Sequence, residues 1–260
     1  MNTPSRPRAT KIICTIGPAT DTSDMLGQLI EAGANVFRLN MSHSKHDWVR
    51  EVVFRIRRKA AELEANVAIL FDLQGPSIRT GDLAEPYHLK KGDTVEIRLG
   101  TAKPELPFST TVNYDGLLQD VQAGHTMVVD NGGILMRIAE VRPDRLICDV
   151  LTEGVFGSRR HINLPGVALR LPALTEKDLA DLAVAVECET DYVAMSFVRD
   201  AAHIAQLREH IDNLGGKAQI VAKIEDQQAV RHIDDIILAA DVIMVCLLYT
   251  SPSPRDGLLS

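Results

Sequence analysis

YVAMSFVRDAAHIAQLREHIDNLGGKAQIVAKIEDQQAVRHIDDIILAADVIMV, residues 192–245, alternates two kinds of segment. YVAMSFV (192–198), AQIVAKIE (218–225) and DVIMV (241–245) are short and almost continuously apolar. A strand with one wet face alternates apolar and polar residues, whereas one covered on both faces reads as an apolar run. Between these runs lie a helical segment opening at Asp200 and another over 226–240. Buried strands alternating with amphipathic helices predict a parallel sheet with helices outside it.

The same alternation runs back to the N-terminus. KIICTIG (11–17), ANVFRLNM (34–41) and VAILFDL (67–73) read as three earlier strands. In TSDMLGQLIEAG, Met25, Leu26, Leu29 and Ile30 share one helical face, with Thr22 or Ser23 as cap and Gly33 at the end. Over 45–65, Val49, Val52, Val53, Ile56, Ala60 and Leu63 form a second stripe, and Arg50, Arg55, Arg57 and Arg58 read as its solvated face. Thr175 caps LTEKDLADLAVAVE, where Asp178 completes an Asp variant of the capping box. Strand starts fall near 11, 34, 67, 192, 218 and 241, so the third gap is roughly a hundred residues too long for one βα unit. It holds strand-like runs broken by Gly-Asp, Asn-Gly and Pro-Asp turns, which predicts an all-β domain over 76–170. The barrel-forming parts are then 1–75 and 171–245. The stretch 246–260, CLLYTSPSPRDGLLS, has no periodicity and resembles a translated transposase adapter from sequencing-library preparation; it is expected to be non-native.

A net charge of −7 excludes nucleic acid and anionic membrane as bulk electrostatic partners, though not a small anion held by clustered cations. No apolar run reaches the roughly 18–20 residues of a membrane span. The cysteines Cys14, Cys148, Cys188 and Cys246 are scattered without metal-ligand spacing, which fits reduced thiols in the cytoplasm.

A (β/α) barrel places its chemistry at the C-terminal ends of its strands. There the second strand offers Arg38, Asn40, Ser42 and His43, and the third offers Asp72 followed by QGPSIR with Arg79. The fourth offers Ser196, and the fifth Lys223 and Glu225. Alternation puts Arg38, Asn40 and Ser42 on one face, and Lys223 with Glu225 on one face. Cations beside carboxylates suit a phosphorylated anion with a hard divalent cation, Mg²⁺ first. Each element alone also reads as a structural ion pair; their joint placement on successive strand ends carries the weight.

RATKIICTIGPAT, FRLNMSH, FDLQGPSIRTG, VVDNGG, NLPGVALRLPALTEKD, VAMSFVR and VAKIEDQQAVRHIDDII resemble, in order, the successive motifs of pyruvate kinases. The resemblance implies a (β/α)8 TIM-type barrel, truncated here after strand 6, with an all-β lid inserted after strand 3. It implies phosphoryl transfer from phosphoenolpyruvate to ADP, giving pyruvate and ATP in glycolysis. By position, Arg38 and Lys223 are the expected catalytic residues. Arg38, Arg79, Lys223 and Ser196 would contact substrate; Asn40, His43 and Arg79 would contact nucleotide. Glu225 would hold Mg²⁺ (or Mn²⁺), and Asn40, Ser42, Asp72 and the Leu73 carbonyl would form a K⁺ pocket. Asp130 falls in the lid motif. The parent is expected to be a homotetramer.

Several positions depart from the family pattern. Leu73 and Gln74 follow potassium-independent members and Thr80 the dependent ones, while Ser77 replaces both the Glu and the Lys found there, leaving K⁺ dependence open. Asn131 stands where Asp is more usual. Tyr249 stands where the family has its second Mg²⁺ carboxylate, so the 260-residue polypeptide is expected to be inactive alone. A non-catalytic phosphoenolpyruvate- or nucleotide-binding fragment is the alternative. Citramalyl-lyase-like barrels lack the long insertion.

Overall fold

A computed structural model describes residues 9–245, except 131, 168 and 226. The expectations placed on Asn131, Cys246, Tyr249 and 246–260 lie outside the described residues. The chain divides into two compact units: 9–75 with Ala173–Val245, and Pro76–Pro172.

The first unit is one sheet of six parallel strands in sequential order. They are Ile13–Ile16, Val36–Asn40, Ala68–Asp72, Tyr192–Met195, Gln219–Ile224 and Val242–Val245. Every neighbouring pair is parallel. Sequential order is what an α/β barrel uses, whereas a doubly wound sheet reverses at a switch point. Among the described residues, the first and sixth strands have a neighbour on one side only.

The period of two separates the sheet's faces. Phe37, Leu39, Ile69, Phe71, Val193 and Ile220 pack with apolar helix residues such as Leu26, Val52, Ile56 and Leu207 in one large core. Leu70, Ala194 and Val221 form a small separate cluster with Val36, Tyr192 and Met244. Two residues further along the same strand faces come Arg38, Asp72, Ser196 and Lys223. An apolar plug thus sits below a polar layer, and the polar layer is at the strand C-termini.

At the opposite end of the sheet a polar pin recurs. Ile12 N–H donates to Asn35 Oδ1, Ile69 N–H to Asp191 Oδ2 and Ile220 N–H to Asp241 Oδ2. In each, the residue opening one strand holds the start of the strand before it. Arg57 bonds Asp191, and Arg208 bonds Asp241. The basic face of the second helix is therefore more than solvated. Arg57 serves a pin, Arg50 pairs with Glu187, and Arg55 and Arg58 pair with Glu51 and Glu62.

Helix ends follow their caps. Thr22 caps Ser23–Glu31, and Gly33 closes it at φ +95°, a conformation that favours glycine. His46–Glu62 buries Val49, Val52, Val53, Ile56 and Ala60, but Leu63 is its C-cap and is exposed, because the helix has ended there. The helix expected over 226–240 is two, Gln227–Arg231 and Ile233–Ala239, interrupted at His232. Glu176–Glu187 carries the full capping box between Thr175 and Asp178.

The second unit has a six-stranded sheet in the order Ile162–Asn163, Thr126–Val129, Ile134–Val141, Arg145–Val150, Thr94–Arg98 and Phe108–Thr111. All pairs are antiparallel except the last. Tyr87–Leu89 and Gly154–Phe156 form a separate ribbon. Its own core includes Val95, Ile97, Met127, Ile138, Leu146 and Phe156. No helix among the described residues is long and apolar enough to cross a membrane.

Candidate active site

Asp72 is the hub of the polar layer. It is the last residue of the third strand and only 2% exposed. A bare carboxylate at that depth would be costly, so it must be paired. Oδ2 accepts from Arg38 Nε at 2.8 Å and from Nη2 at 2.5 Å. Oδ1 lies 3.1 Å from Lys223 Nζ, outside hydrogen-bond geometry, so Lys223 meets it as a point charge.

Lys223 ties the fifth strand to its neighbours. Its ammonium donates to Ser196 Oγ at 2.7 Å and lies 3.3 Å from Glu225 Oε1. Ser196 Oγ in turn donates to the Leu73 carbonyl at 2.7 Å. Glu225 Oε2 accepts the Phe197 N–H at 2.8 Å. At the other end Arg38 Nη1 donates to Thr15 Oγ1 at 2.8 Å. The first, second, third and fifth strands and the turn after the fourth are thereby linked by one chain of charged and polar groups.

The cluster holds two cations and two carboxylates, so it is neutral as it stands. Arg38 is a quarter exposed and Lys223 about a tenth. A small oxyanion can exchange places with the carboxylates as partner of these cations, at the low local dielectric that strengthens such contacts.

Backbone geometry supports the arrangement. Phe197 sits at φ +56°, which aims its N–H at Glu225. Gly75 sits at φ +69°, and a Cβ there would lie 2.9 Å from the Phe197 ring and 3.0 Å from Ser196 Cβ. Only glycine lets the loop after the third strand approach so closely.

The remaining expected residues are placed less centrally. Asn40 ends the second strand, and its Oδ1 accepts the Ser42 N–H at 3.1 Å, closing its own turn. His43 is exposed on that turn. Arg79 belongs to the second unit, where its guanidinium donates to Ser77 Oγ and the Arg159 carbonyl. Asp130 pairs with Arg160 in that same unit.

The donor sets fit the two expected ions unequally. No cluster of three or more His, Cys, Asp or Glu suited to a metal occurs among the described residues. Asp72 is committed to two cations, whereas Glu225 is about a fifth exposed and holds one backbone N–H and one ammonium. One such carboxylate fits Mg²⁺, which is commonly held by one or two carboxylates with substrate oxygens and water. The K⁺ set fits poorly as arranged. Asn40 Oδ1 serves Ser42, the Leu73 carbonyl serves Ser196, and Asp72 faces Arg38 and Lys223.

Thr15, Gly75 and the Phe197 amide were missed as site residues. Thr15 was reachable, since register pairs it with Arg38 on the neighbouring strand. Nothing in the local sequence marks the positive φ of Phe197.

The description "pyruvate kinase, barrel domain" matches residues 7–247. Plastidial pyruvate kinase 2 of Arabidopsis thaliana is 38% identical over 245 residues, 93% of this chain and 42% of its own length. The pyruvate kinase of Mycobacterium tuberculosis H37Rv is 37% identical over 239 residues, 92% of this chain and 50% of its own. That of Staphylococcus aureus MRSA252 is 35% identical over 241 residues, 92% of this chain and 41% of its own. The chain thus spans about half the length of the curated relatives it matches. A family match that takes in every described strand leaves one conclusion: this chain belongs to the pyruvate kinase family.

Proposed function

We propose that the polar layer is the phosphoenolpyruvate side of a pyruvate kinase site, serving phosphoryl transfer to ADP with release of pyruvate and ATP. The observation that carries this reading is the convergence of Arg38, Asp72, Lys223 and Glu225 on one sheet face. Arg38 receives the transferring phosphoryl group, its planar fork matching two oxygens. Lys223 neutralises charge on that group and on the enolate left behind. Ser196, fixed by Lys223 and the Leu73 carbonyl, stands beside the substrate carboxylate. Arg79 assists at the phosphoryl group, and Asn40, His43 and Arg79 are assigned to nucleotide.

Glu225 is the residue that would hold Mg²⁺ (or Mn²⁺). A divalent ion there would draw charge from the phosphoryl oxygens. K⁺ is assigned no essential role, because Arg38 and Lys223 already face Asp72 with positive charge. The inserted unit is assigned the work of a lid that excludes water. The compartment proposed is the cytoplasm and the assembly a homotetramer; the relatives include proteins named as plastidial or chloroplastic.

The test is pyruvate formation from phosphoenolpyruvate and ADP, followed by ³¹P NMR, for this chain and, in a full-length version, for Lys223→Met beside the unaltered protein. Turnover abolished by Lys223→Met with phosphoenolpyruvate binding nearly intact supports the assignment; near-normal turnover removes Lys223 from the mechanism. A second reading has one observation in its favour: Glu225 is the one carboxylate of the cluster not committed to Arg38. On that reading this polypeptide alone binds phosphoenolpyruvate without turning it over, which the same experiment separates.

A further inference from the structure

We infer that the first turns of helix Glu176–Glu187 form a bracket that positions two loops at the site, with Lys177, Asp178 and Asp181 as positioning residues. The inference deepens the pyruvate kinase reading and rests on it for its functional consequence. Neither Asp178 nor Asp181 belongs to the Arg38–Glu225 cluster, yet both are fully buried. Buried carboxylates persist only where donors satisfy them. Where those donors come from is what assigns the role.

Asp181 Oδ2 accepts from Lys177 Nζ at 2.6 Å, and Oδ1 lies 2.7 Å from His46 Nε2. The same Lys177 ammonium donates to the Met41 carbonyl at 2.7 Å. Met41 directly follows Asn40, and His46 opens the next helix. Both ends of the 41–46 turn, which carries Ser42 and His43, are therefore tied to one carboxylate.

Asp178 does the same for the next loop. Oδ2 completes the capping box with Thr175, while Oδ1 accepts the Gly75 N–H at 3.0 Å in a buried bond. Gly75 packs against Ser196 and Phe197, and the Phe197 N–H holds Glu225. One helix turn thus sets the exits of the second and third strands, and through Gly75 bears on the groups around Lys223. A capping box uses one oxygen of its N3 carboxylate, and here the other is held by the loop after the third strand.

The test combines site-resolved amide exchange with phosphoenolpyruvate titration on the whole chain. The variants are Lys177→Met, His46→Ala and, as the conservative control, Lys177→Arg. The inference expects Lys177→Met and His46→Ala to speed exchange at the Met41, Ser42 and Val49 amides at least tenfold. The Val193 and Ile220 amides should change less than threefold, and phosphoenolpyruvate affinity should fall at least fivefold, with Lys177→Arg recovering most of both. Unchanged exchange at the turn, or a loss of protection spread over the whole unit in both variants, overturns it. If the unaltered chain binds no phosphoenolpyruvate, the site reading fails while the exchange arm still decides whether the bracket exists.

Discussion

Replacing Asp72 by Asn keeps the shape of the hub and removes its charge. Two cations then face a neutral buried amide, where Arg38 Nε is bonded to the native carboxylate at 2.8 Å and Lys223 Nζ lies 3.1 Å from it as a point charge. At an effective dielectric near 20, a unit pair about 3 Å apart is worth about 5 kcal/mol. Relief of the carboxylate's desolvation offsets part of that, and breaking one partner of a buried pair typically costs about 3–5 kcal/mol. We therefore expect Asp72→Asn to lower stability by about 3 kcal/mol, a fall of about 10 °C in Tm for a chain this size. Urea unfolding followed by far-UV circular dichroism measures it, provided the slope m stays unchanged. Lys223→Met in the same background removes one of the two cations that the lost charge had faced, so the double variant should recover at least about 1 kcal/mol relative to additivity. A cost under about 0.5 kcal/mol, or strict additivity, would show that Asp72 is not the electrostatic hub described.

Gly75→Ala should cost about 3 kcal/mol in thermal unfolding, since a Cβ at φ +69° meets Phe197 and Ser196 below contact distance; a change within about 0.5 kcal/mol would mean the loop is not held there. Burial pushes the Asp241 carboxyl up, but the Ile220 N–H and Arg208 outweigh it and hold it below the usual carboxylate range. A depressed carboxyl stabilises above its unfolded pKa, near 3.9, and that stability is lost as pH falls through the folded value. Asp241→Asn should therefore cost about 2 kcal/mol at pH 7 and progressively less below about pH 4, and a pH-independent cost would refute the pin. Exchanging potassium for tetramethylammonium should alter phosphoenolpyruvate affinity less than threefold, because Asp72 already has two protein cations; a tenfold loss would favour the potassium pocket.

The strand order and the insertion were legible because buried parallel strands are nearly continuous apolar runs, and a hundred surplus residues cannot hide in one crossover. Arg38, Asp72, Lys223 and Glu225 were legible because strand ends and a period of two fix their face. Alternation does not say which partner a side chain chooses. Asp72 was expected in a cation pocket; in the structure it binds Arg38, whose guanidinium reaches it from the neighbouring strand. The short strands Tyr87–Leu89 and Ile162–Asn163 were not legible, being two or three residues without a period to count. The break at His232 likewise has no Pro or Gly to announce it.

Titration of the chain with phosphoenolpyruvate in the presence of Mg²⁺, beside Arg38→Met, tests the central claim most directly. Arg38 reaches from the buried layer toward solvent and has the one planar fork of the cluster. The account predicts saturable binding that weakens at least tenfold in Arg38→Met while the far-UV spectrum is unchanged. Equal binding by the two proteins, or none by the unaltered chain, would contradict it.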